Sequence, residues 1–240
     1  LLAMVDSSIG GKTGIDTRQG KNLIGAFWHP RAVFVDLKYL KTLSQKHFIN
    51  GLVEAVKVFM TSDANSFLYA EKHISSILKR NRKALKKIIT DAVLIKARVV
   101  ERDERESGER MILNFGHTIS HSIEKLSKYK MLHGYAVALG IIAEAGIAAD
   151  LGKLKAADYL RIKNLLIEKM GINLKFLNAY KSKEILGHAK NDKKAKSGKS
   201  RYVILKEIGK VHATNNVFAH HVEDRAVIRV LEKINSASNI

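Results

Sequence analysis

Two histidines lie four residues apart in the stretch Asn114-Phe115-Gly116-His117-Thr118-Ile119-Ser120-His121. On a helix, side chains at this spacing share one face and can approach a common ion or substrate. Such pairs also arise by chance in a chain with 10 histidines, where they have only a structural role. The pair therefore indicates a metal or substrate site only if other residues support it.

Helical spacing of the apolar residues extends outward from this stretch. Between residues 44 and 171 they recur every three or four positions, for example at Leu85, Ile88, Ile89, Ala92 and Ile95. The charged residues 103–108 and the region of Gly171 predict breaks between helices. We therefore predict a mainly α-helical domain from residue 44 onward.

The two ends of the chain follow a different pattern. The run Ala32-Val33-Phe34-Val35-Asp36 predicts a strand within the glycine-rich residues 1–43, which we interpret as a piece of an α/β domain. Residues 201–205, then Gly209 and residues 211–217, predict a short β-hairpin. The predicted fold class is α-rich α+β, with an α/β piece over residues 1–43 and a helical domain with a small C-terminal β-hairpin over residues 44–240.

Composition limits the classes of protein and of site. Without cysteine, any metal must be held by His, Asp or Glu, and a reducing cytoplasmic compartment is favoured. The apolar residues 136–149 contain Glu144 and fall short of the roughly 20 residues that span a bilayer, so no membrane helix is predicted. The formal net charge of +19 fits an anionic partner, whether nucleic acid, membrane surface or small substrate.

A carboxylate and a third imidazole could complete a metal site with the histidine pair. Glu54 precedes Lys57 by three residues on a predicted helix, so both side chains project from one face, and His133 lies in the polar turn Met131-Leu132-His133-Gly134. Three protein ligands with a fourth position open are usual for catalytic zinc. The plainer interpretation of Glu54 is a surface salt bridge with Lys57.

Glycines and lysines near the N-terminus form a candidate anion site. In residues 6–14, glycines expose backbone N–H groups beside Lys12, and the pair Lys21-Asn22 follows shortly after. The spacing excludes a P-loop, because the first glycine of that pattern would fall at Val5. Together with Lys57, these residues would form a phosphate cage only if the fold brings them together.

Lys96 and Arg110 flank the acidic residues 103–108, and Arg110 precedes Asn114 by one helical turn. The planar guanidinium suits an anionic group near the histidines. The plainer interpretation of both residues is charge on a helix surface.

Several further stretches of the sequence, taken in their order and spacing, carry a resemblance to a known family. They are Val5-Asp6-Ser7-Ser8-Ile9-Gly10-Gly11-Lys12-Thr13-Gly14, Gly20-Lys21-Asn22-Leu23-Ile24-Gly25-Ala26-Phe27, Leu40-Lys41-Thr42-Leu43, Gly51-Leu52-Val53-Glu54-Ala55-Val56-Lys57 and Asp192-Lys193-Lys194. Together with Asn114-Phe115-Gly116-His117-Thr118, they resemble the signatures of the dehydroquinate synthase family. The resemblance covers nearly the whole chain.

This resemblance implies a lyase of the shikimate pathway that converts 3-deoxy-D-arabino-heptulosonate 7-phosphate, a phosphorylated sugar acid, to 3-dehydroquinate and phosphate. It also implies catalytic NAD and a divalent metal, Zn²⁺ or Co²⁺, with Glu54, His117 and His133 as the ligands. The catalytic residues it implies are Lys12, Lys57, Asn114 and His121, with His121 as a candidate proton relay. The substrate contacts it implies are Asp6, Asn22, Lys96, Arg110 and Lys193, and the NAD contacts are Asp6, Lys12, Lys21, Tyr39, Leu40, Lys41 and Thr42.

The resemblance also implies a longer N-terminal α/β domain that binds NAD, of which residues 1–43 would be the last part. The chain opens at Leu1, inside that domain, and we expect it to bind metal but to turn over poorly or not at all. A homodimer in the cytoplasm is implied, with no nucleic-acid or membrane partner.

Four alternatives remain open. A related sugar-phosphate cyclase would share the metal ligands and NAD, but it would not need a pair such as Lys96 and Arg110 for a carboxylate. A polyol dehydrogenase with NAD and metal would not need several lysines for a phosphate. The lysine-dense residues 190–210 fit nucleic acid, although no aromatic stacking platform accompanies them. The last alternative is an inactive remnant that keeps the metal ligands.

Overall fold

The computed structural model describes residues 1–17, 20–190 and 200–237. Its α-helices are α1 (Gln45–Ser62), α2 (Ala64–Leu78), α3 (Arg82–Arg102), α4 (His117–Leu126), α5 (His133–Asp150), α6 (Ala156–Asn164), α7 (Lys175–Asn178), α8 (Ser182–Lys190) and α9 (Asp224–Ala237). Turns of 3₁₀-helix span Leu37–Leu40 and Glu109–Asn114, and π-helical turns span Ala3–Ser7 and Leu165–Lys169. The strands are β1 (Ile15–Thr17), β2 (Gly20–Ile24), β3 (Arg201–Tyr202), β4 (Leu205–Glu207), β5 (Lys210–Val211) and β6 (His220–His221).

Helix α5 is the central helix of the core. Its residues from Ala136 to Ala148 are buried on every side, as expected for a helix that is apolar all round. It packs against α1, α4, α6 and α9. Small residues allow this close approach, because a Cβ added at Gly134 would lie 2.0 Å from the carbonyl oxygen of Asn50 on α1.

The N-terminal residues pack on the helical core. Leu1 and Val5 are buried with the apolar side chains of the helices, and the turn Ala3–Ser7 contacts α1 and α3. Farther along, Arg80 donates hydrogen bonds to the carbonyls of Leu40, Lys41 and Leu43 from the connection between α2 and α3. These contacts hold residues 1–7 and 40–43 against the helices.

The strand predicted at residues 32–36 is wrong. This segment is extended but pairs with no strand in the described part of the chain, and Phe34 is 94% exposed. A strand requires a neighbour for its backbone N–H and C=O groups, which the β-branched composition alone does not supply. The pairing in this half of the chain is instead the antiparallel hairpin of β1 and β2.

The predicted C-terminal hairpin is confirmed for β4 and β5, which pair antiparallel around Gly209, at a φ of 88°. The outer parts of that prediction are wrong. Residues 201–202 pair with His220–His221, and β5 ends at Val211 because the chain then turns back toward β3. The predicted helix breaks are confirmed, since α3 ends at Arg102 and Gly171 has a φ of 74°.

Across residues 1–17, 20–190 and 200–237, no helix has both the length and the apolar character needed to span a bilayer.

Candidate metal centre and anion site

Three side chains from three helices converge on one point. Glu54 lies on α1, His117 is the first residue of α4, and His133 is the first residue of α5. One ligand atom from each lies within 4.8 Å of the others. Glu54 Oε1 is 3.5 Å from His133 Nε2 and 3.9 Å from His117 Nε2, against roughly 3.3 Å between the ligand atoms of a tetrahedral zinc. The spacing therefore suits a divalent ion.

The two oxygens of Glu54 have different surroundings. Oε2 accepts a hydrogen bond from Lys57 Nζ at 2.5 Å, and both side chains are buried. Oε1 is also buried, and it has no hydrogen-bond partner among the described residues. Buried polar atoms are nearly always paired, so an orphaned carboxylate oxygen facing two imidazoles fits a cation ligand. The plainer interpretation of Glu54 and Lys57, as a surface salt bridge, is wrong.

The charges at the centre favour forms that bind a metal. Burial opposes ionisation of Glu54, yet Lys57 and the two imidazoles hold the pKa of its carboxyl well below the ordinary value. Burial and the nearby Lys57 lower the pKa of His117 well below its ordinary value, so its ring is neutral. Burial also lowers the pKa of His133, but the neighbouring carboxylates of Glu124 and Glu54 outweigh this effect and raise the pKa to about 9. A metal would therefore displace a proton from His133.

Both histidines have a partner on the ring nitrogen that faces away from the centre. His133 Nδ1 lies 3.4 Å from Oε1 of the buried Glu124, and His117 Nδ1 lies 3.2 Å from the carbonyl of Phe115. Such partners orient the imidazoles of metal sites and leave Nε2 for the ion. Glu124 was not predicted from the sequence. It could have been, because it lies seven residues after His117 on the same face of α4.

His121 lies beside the three converging side chains and is not one of them. Its ring is 5.5 Å from the ring of His117, in an edge-on arrangement one turn along α4. The prediction that His133 lies in a turn is wrong, because the extended residue Leu132 ends the loop and α5 begins at His133.

Two ion pairs join the N-terminal residues to the helical domain. Lys96 Nζ donates to both the carbonyl and the carboxylate Oδ1 of Asp6, each at 2.6 Å. Lys12 pairs with one oxygen of Glu106, and Asn114 donates to the other. Glu106 was not singled out from the sequence, although it lies in the acidic residues 103–108. Asp6 and Lys96 thus form one group of polar contacts, and Lys12, Asn114 and Glu106 form a second.

Comparisons with known proteins assign the chain to a family. A family model described as 3-dehydroquinate synthase C-terminal matches residues 51–195, and one described as 3-dehydroquinate synthase N-terminal matches residues 1–50. The chain belongs to the 3-dehydroquinate synthase family. The family resemblance predicted from the sequence is confirmed.

Relatives named 3-dehydroquinate synthase show how much of the family's length is present. The relative from Dictyoglomus thermophilum is 42% identical over 233 residues, which make up 97% of this chain and 63% of the relative. The relative from Geobacter metallireducens is 44% identical over 211 residues, or 87% of this chain and 58% of the relative. The chain therefore spans about three fifths of the length of these 3-dehydroquinate synthases.

Solved structures of sugar-phosphate cyclases share the fold. A 2-epi-5-epi-valiolone synthase from Streptomyces hygroscopicus with NAD⁺ and Zn²⁺ bound matches 98% of this chain, and 64% of its own, at a TM-score of 0.87 and 24% identity. A 2-deoxy-scyllo-inosose synthase complexed with carbaglucose-6-phosphate, NAD⁺ and Co²⁺ matches 97% of this chain, and 64% of its own, at a TM-score of 0.85 and 25% identity. The predicted fold class of this dehydroquinate synthase family member is confirmed.

Arg110 of this family member is not a surface charge. It is buried, and it lies on the 3₁₀ turn Glu109–Asn114 instead of an α-helix. Its guanidinium donates to the carbonyls of Gly10, at 2.6 Å, and of Glu104, and lies 5.8 Å from the ring centre of Phe27. The plainer interpretation is therefore wrong, as it is for the buried Lys96. Arg110 anchors the glycine loop at Gly10.

The other residues predicted to contact NAD or substrate lie on the largely exposed segment 39–42, on β2 or outside the described residues. Tyr39, Lys41 and Thr42 are exposed residues of the segment that Arg80 holds, whereas the side chain of Leu40 is buried in the core. The predicted NAD contact at Leu40 is therefore available only through its main chain. Lys21 and Asn22 lie on β2, and Lys193 lies outside the described residues.

Proposed function

We propose that this chain forms the metal- and substrate-binding part of a 3-dehydroquinate synthase. The reaction would eliminate phosphate from 3-deoxy-D-arabino-heptulosonate 7-phosphate and close the ring to 3-dehydroquinate, a carbon–oxygen lyase step of aromatic amino acid biosynthesis. The observation that carries the proposal is the buried Glu54 Oε1, which has no hydrogen-bond partner within the described part of the chain and faces His117 and His133. Membership of the 3-dehydroquinate synthase family supports this reaction as the one that such a centre would serve.

Glu54, His117 and His133 would hold Zn²⁺ or Co²⁺, the ions named with the two related cyclases. When bound, the ion would stabilise negative charge on substrate oxygens, and NAD would accept and return a hydride. The NAD contacts that we propose are Asp6, Lys12, Lys21, Tyr39, Leu40, Lys41 and Thr42. Leu40 would contribute through its main chain, because its side chain is buried.

Buried cations support an anionic substrate. Burial is the main cause that lowers the pKa of Lys96; the ion pair with Asp6 opposes this shift, and the like charge of Lys57 adds to it. Anionic groups bound beside Lys96 and Lys57 would stabilise their charged forms. We propose that Lys12, Asn22, Lys57 and Lys193 bind the substrate phosphate. Lys96 and Arg110 would bind the carboxylate, for which Arg110 must share a guanidinium that already donates to two backbone carbonyls.

Five residues would act at the reacting atoms or at a hydroxyl beside them. Lys12 and Asn114 both contact Glu106, so both can orient substrate oxygens from one side of the centre. Lys57 would stabilise negative charge that develops next to Glu54. His121 would hold or move a proton at a ring nitrogen. Asp6, fixed by Lys96, would contact a substrate hydroxyl.

We further propose that residues 1–43 are the last part of an α/β domain that binds NAD, followed by the helical domain over residues 44–240. The family model boundary between residues 50 and 51 lies near this division. The complete enzyme would be a cytoplasmic homodimer. The 240-residue chain alone would bind metal but release phosphate poorly or not at all.

Phosphate release tests this function. The assay contains NAD, Zn²⁺ and either the heptulosonate phosphate or glucose 6-phosphate. It compares the chain alone with a fusion in which the N-terminal portion of the Dictyoglomus thermophilum relative precedes the chain. We expect release from the fusion, none when His117→Ala is introduced, and little from the chain alone. Release only from glucose 6-phosphate would indicate a related cyclase instead, and NADH formation without phosphate would indicate a polyol dehydrogenase. If neither substrate released phosphate, the interpretation of the chain as an inactive remnant would be favoured.

A further inference from the structure

Helix α4 begins at the metal centre without a cap from its own N-cap residue. That residue is Gly116, at a φ of 81°, and it has no side chain to accept the backbone N–H groups of the first turn. Unpaired N–H groups at a buried helix end are costly. The first residue of this helix is His117, so whatever satisfies these groups also determines where His117 points.

Glu144 satisfies them from another helix. Its Oε2 accepts from the N–H of Gly116 at 2.9 Å, and its Oε1 accepts from Thr118 at 3.2 Å and Ile119 at 3.4 Å. The side chain is fully buried on α5. Burial raises the pKa of Glu144 to about 8, although the backbone N–H groups oppose this shift. The carboxyl group thus accepts hydrogen bonds from the backbone on both sides of His117, and none of these bonds involves the His117 ring.

The backbones of the two helix segments are in contact at the same place. Gly140 precedes Glu144 by one turn of α5, and a Cβ added there would lie 1.9 Å from the carbonyl oxygen of Gly116. A Cβ added at Gly116 would lie 2.8 Å from the backbone nitrogen of Ile141. The start of α4 therefore has little freedom to move relative to α5.

We propose that Glu144 is a positioning residue of the metal centre, which fixes the direction of His117 relative to His133 through the backbone at the start of α4. Helix α5 then has two tasks. It provides His133 directly at its first turn, and three turns later it provides Glu144, which holds the second histidine. This inference rests on the proposed metal-binding role of Glu54, His117 and His133, and it adds a residue that never contacts the ion.

The test compares Glu144→Gln with the native chain in two measurements that do not require catalysis. Gln keeps the shape, but its amide nitrogen cannot accept a hydrogen bond from a backbone N–H. We expect Zn²⁺ affinity, measured by competition with a chelator, to fall about 10- to 100-fold. We also expect the visible absorption spectrum of the Co²⁺-loaded protein to change, because the angle between the two imidazoles changes.

The control is Ile147→Val, which removes one buried methylene from the same helix away from the centre. It should lower thermal stability and leave both Zn²⁺ affinity and the Co²⁺ spectrum unchanged. If Glu144→Gln does not fold, Glu144→Asp replaces it, since the shorter side chain keeps the carboxyl group but no longer reaches the backbone N–H groups. The proposal is overturned if the Glu144 variant binds Zn²⁺ within twofold of the native affinity with an unchanged Co²⁺ spectrum. Failure of the native chain to bind Zn²⁺ would instead refute the proposed function.

Discussion

Replacing Glu54 by alanine should abolish tight Zn²⁺ binding and also lower the free energy of unfolding by about 3–5 kcal/mol. The second effect arises because Lys57 is buried and its ammonium pairs with Glu54 Oε2 at 2.5 Å. Removal of the carboxylate leaves a buried charge without its partner, which is far more costly than the loss of an exposed ion pair. Denaturant unfolding without metal, followed by Zn²⁺ titration, measures the two effects separately.

Lys87→Ala is the matched control for Glu54→Ala. Lys87 is half exposed and forms a helical ion pair with Asp91. Its replacement should lower the free energy of unfolding by less than about 0.5 kcal/mol and leave Zn²⁺ binding unchanged. Our description of Glu54 would be contradicted if the free energy of unfolding of Glu54→Ala lay within about 1 kcal/mol of the native value and the variant still bound Zn²⁺ tightly.

The second large effect is expected at Gly140, where substitution by alanine should destabilise the fold by about 3 kcal/mol or more. A Cβ at this position would lie 1.9 Å from the Gly116 carbonyl oxygen and 3.1 Å from the backbone nitrogen of Ser120. Both neighbours are backbone atoms, so relief requires movement of α4 away from α5. That movement also displaces His117, and Zn²⁺ affinity should fall together with the melting temperature.

Gly187→Ala separates this clash from the general effect of alanine in a helix. Gly187 lies on α8, and a Cβ there would meet no atom within 4 Å. The substitution should stabilise the chain by about 0.5–1 kcal/mol, because glycine is the poorer helix former. Equal effects of the two substitutions on melting temperature would show that α4 and α5 are not in backbone contact at Gly140.

Local patterns in the sequence predicted the helical domain and offered Glu54, His117 and His133 as individual candidates for metal ligands. The helical spacing placed Glu54 and Lys57 on one face, and α1 confirms that geometry. The convergence of Glu54, His117 and His133 was available only from the family resemblance. Residues 63 and 79 apart in sequence meet through the packing of α1, α4 and α5, which no local pattern specifies.

The wrong predictions share a physical cause, since each depended on a partner distant in sequence. Residues 32–36 have strand composition but no neighbour to pair with in the described chain. Arg110 reads as a surface charge until the glycine loop is placed against it, through the Gly10 carbonyl. In the sequence, Glu144 interrupts the apolar residues 136–149. A lone carboxylate in such a run is itself a signal, because a buried acid must find hydrogen-bond donors.

X-ray absorption at the zinc edge tests the central claim most directly. The Zn²⁺-loaded chain should show an inner shell of about four nitrogen and oxygen atoms near 2.0 Å, with outer-shell scattering from two imidazoles. We expect those imidazoles to belong to His117 and His133, so His117→Ala should remove one of them and His121→Ala should remove neither. An inner shell without imidazole, or one that loses an imidazole when His121 is replaced, would contradict the metal centre described here.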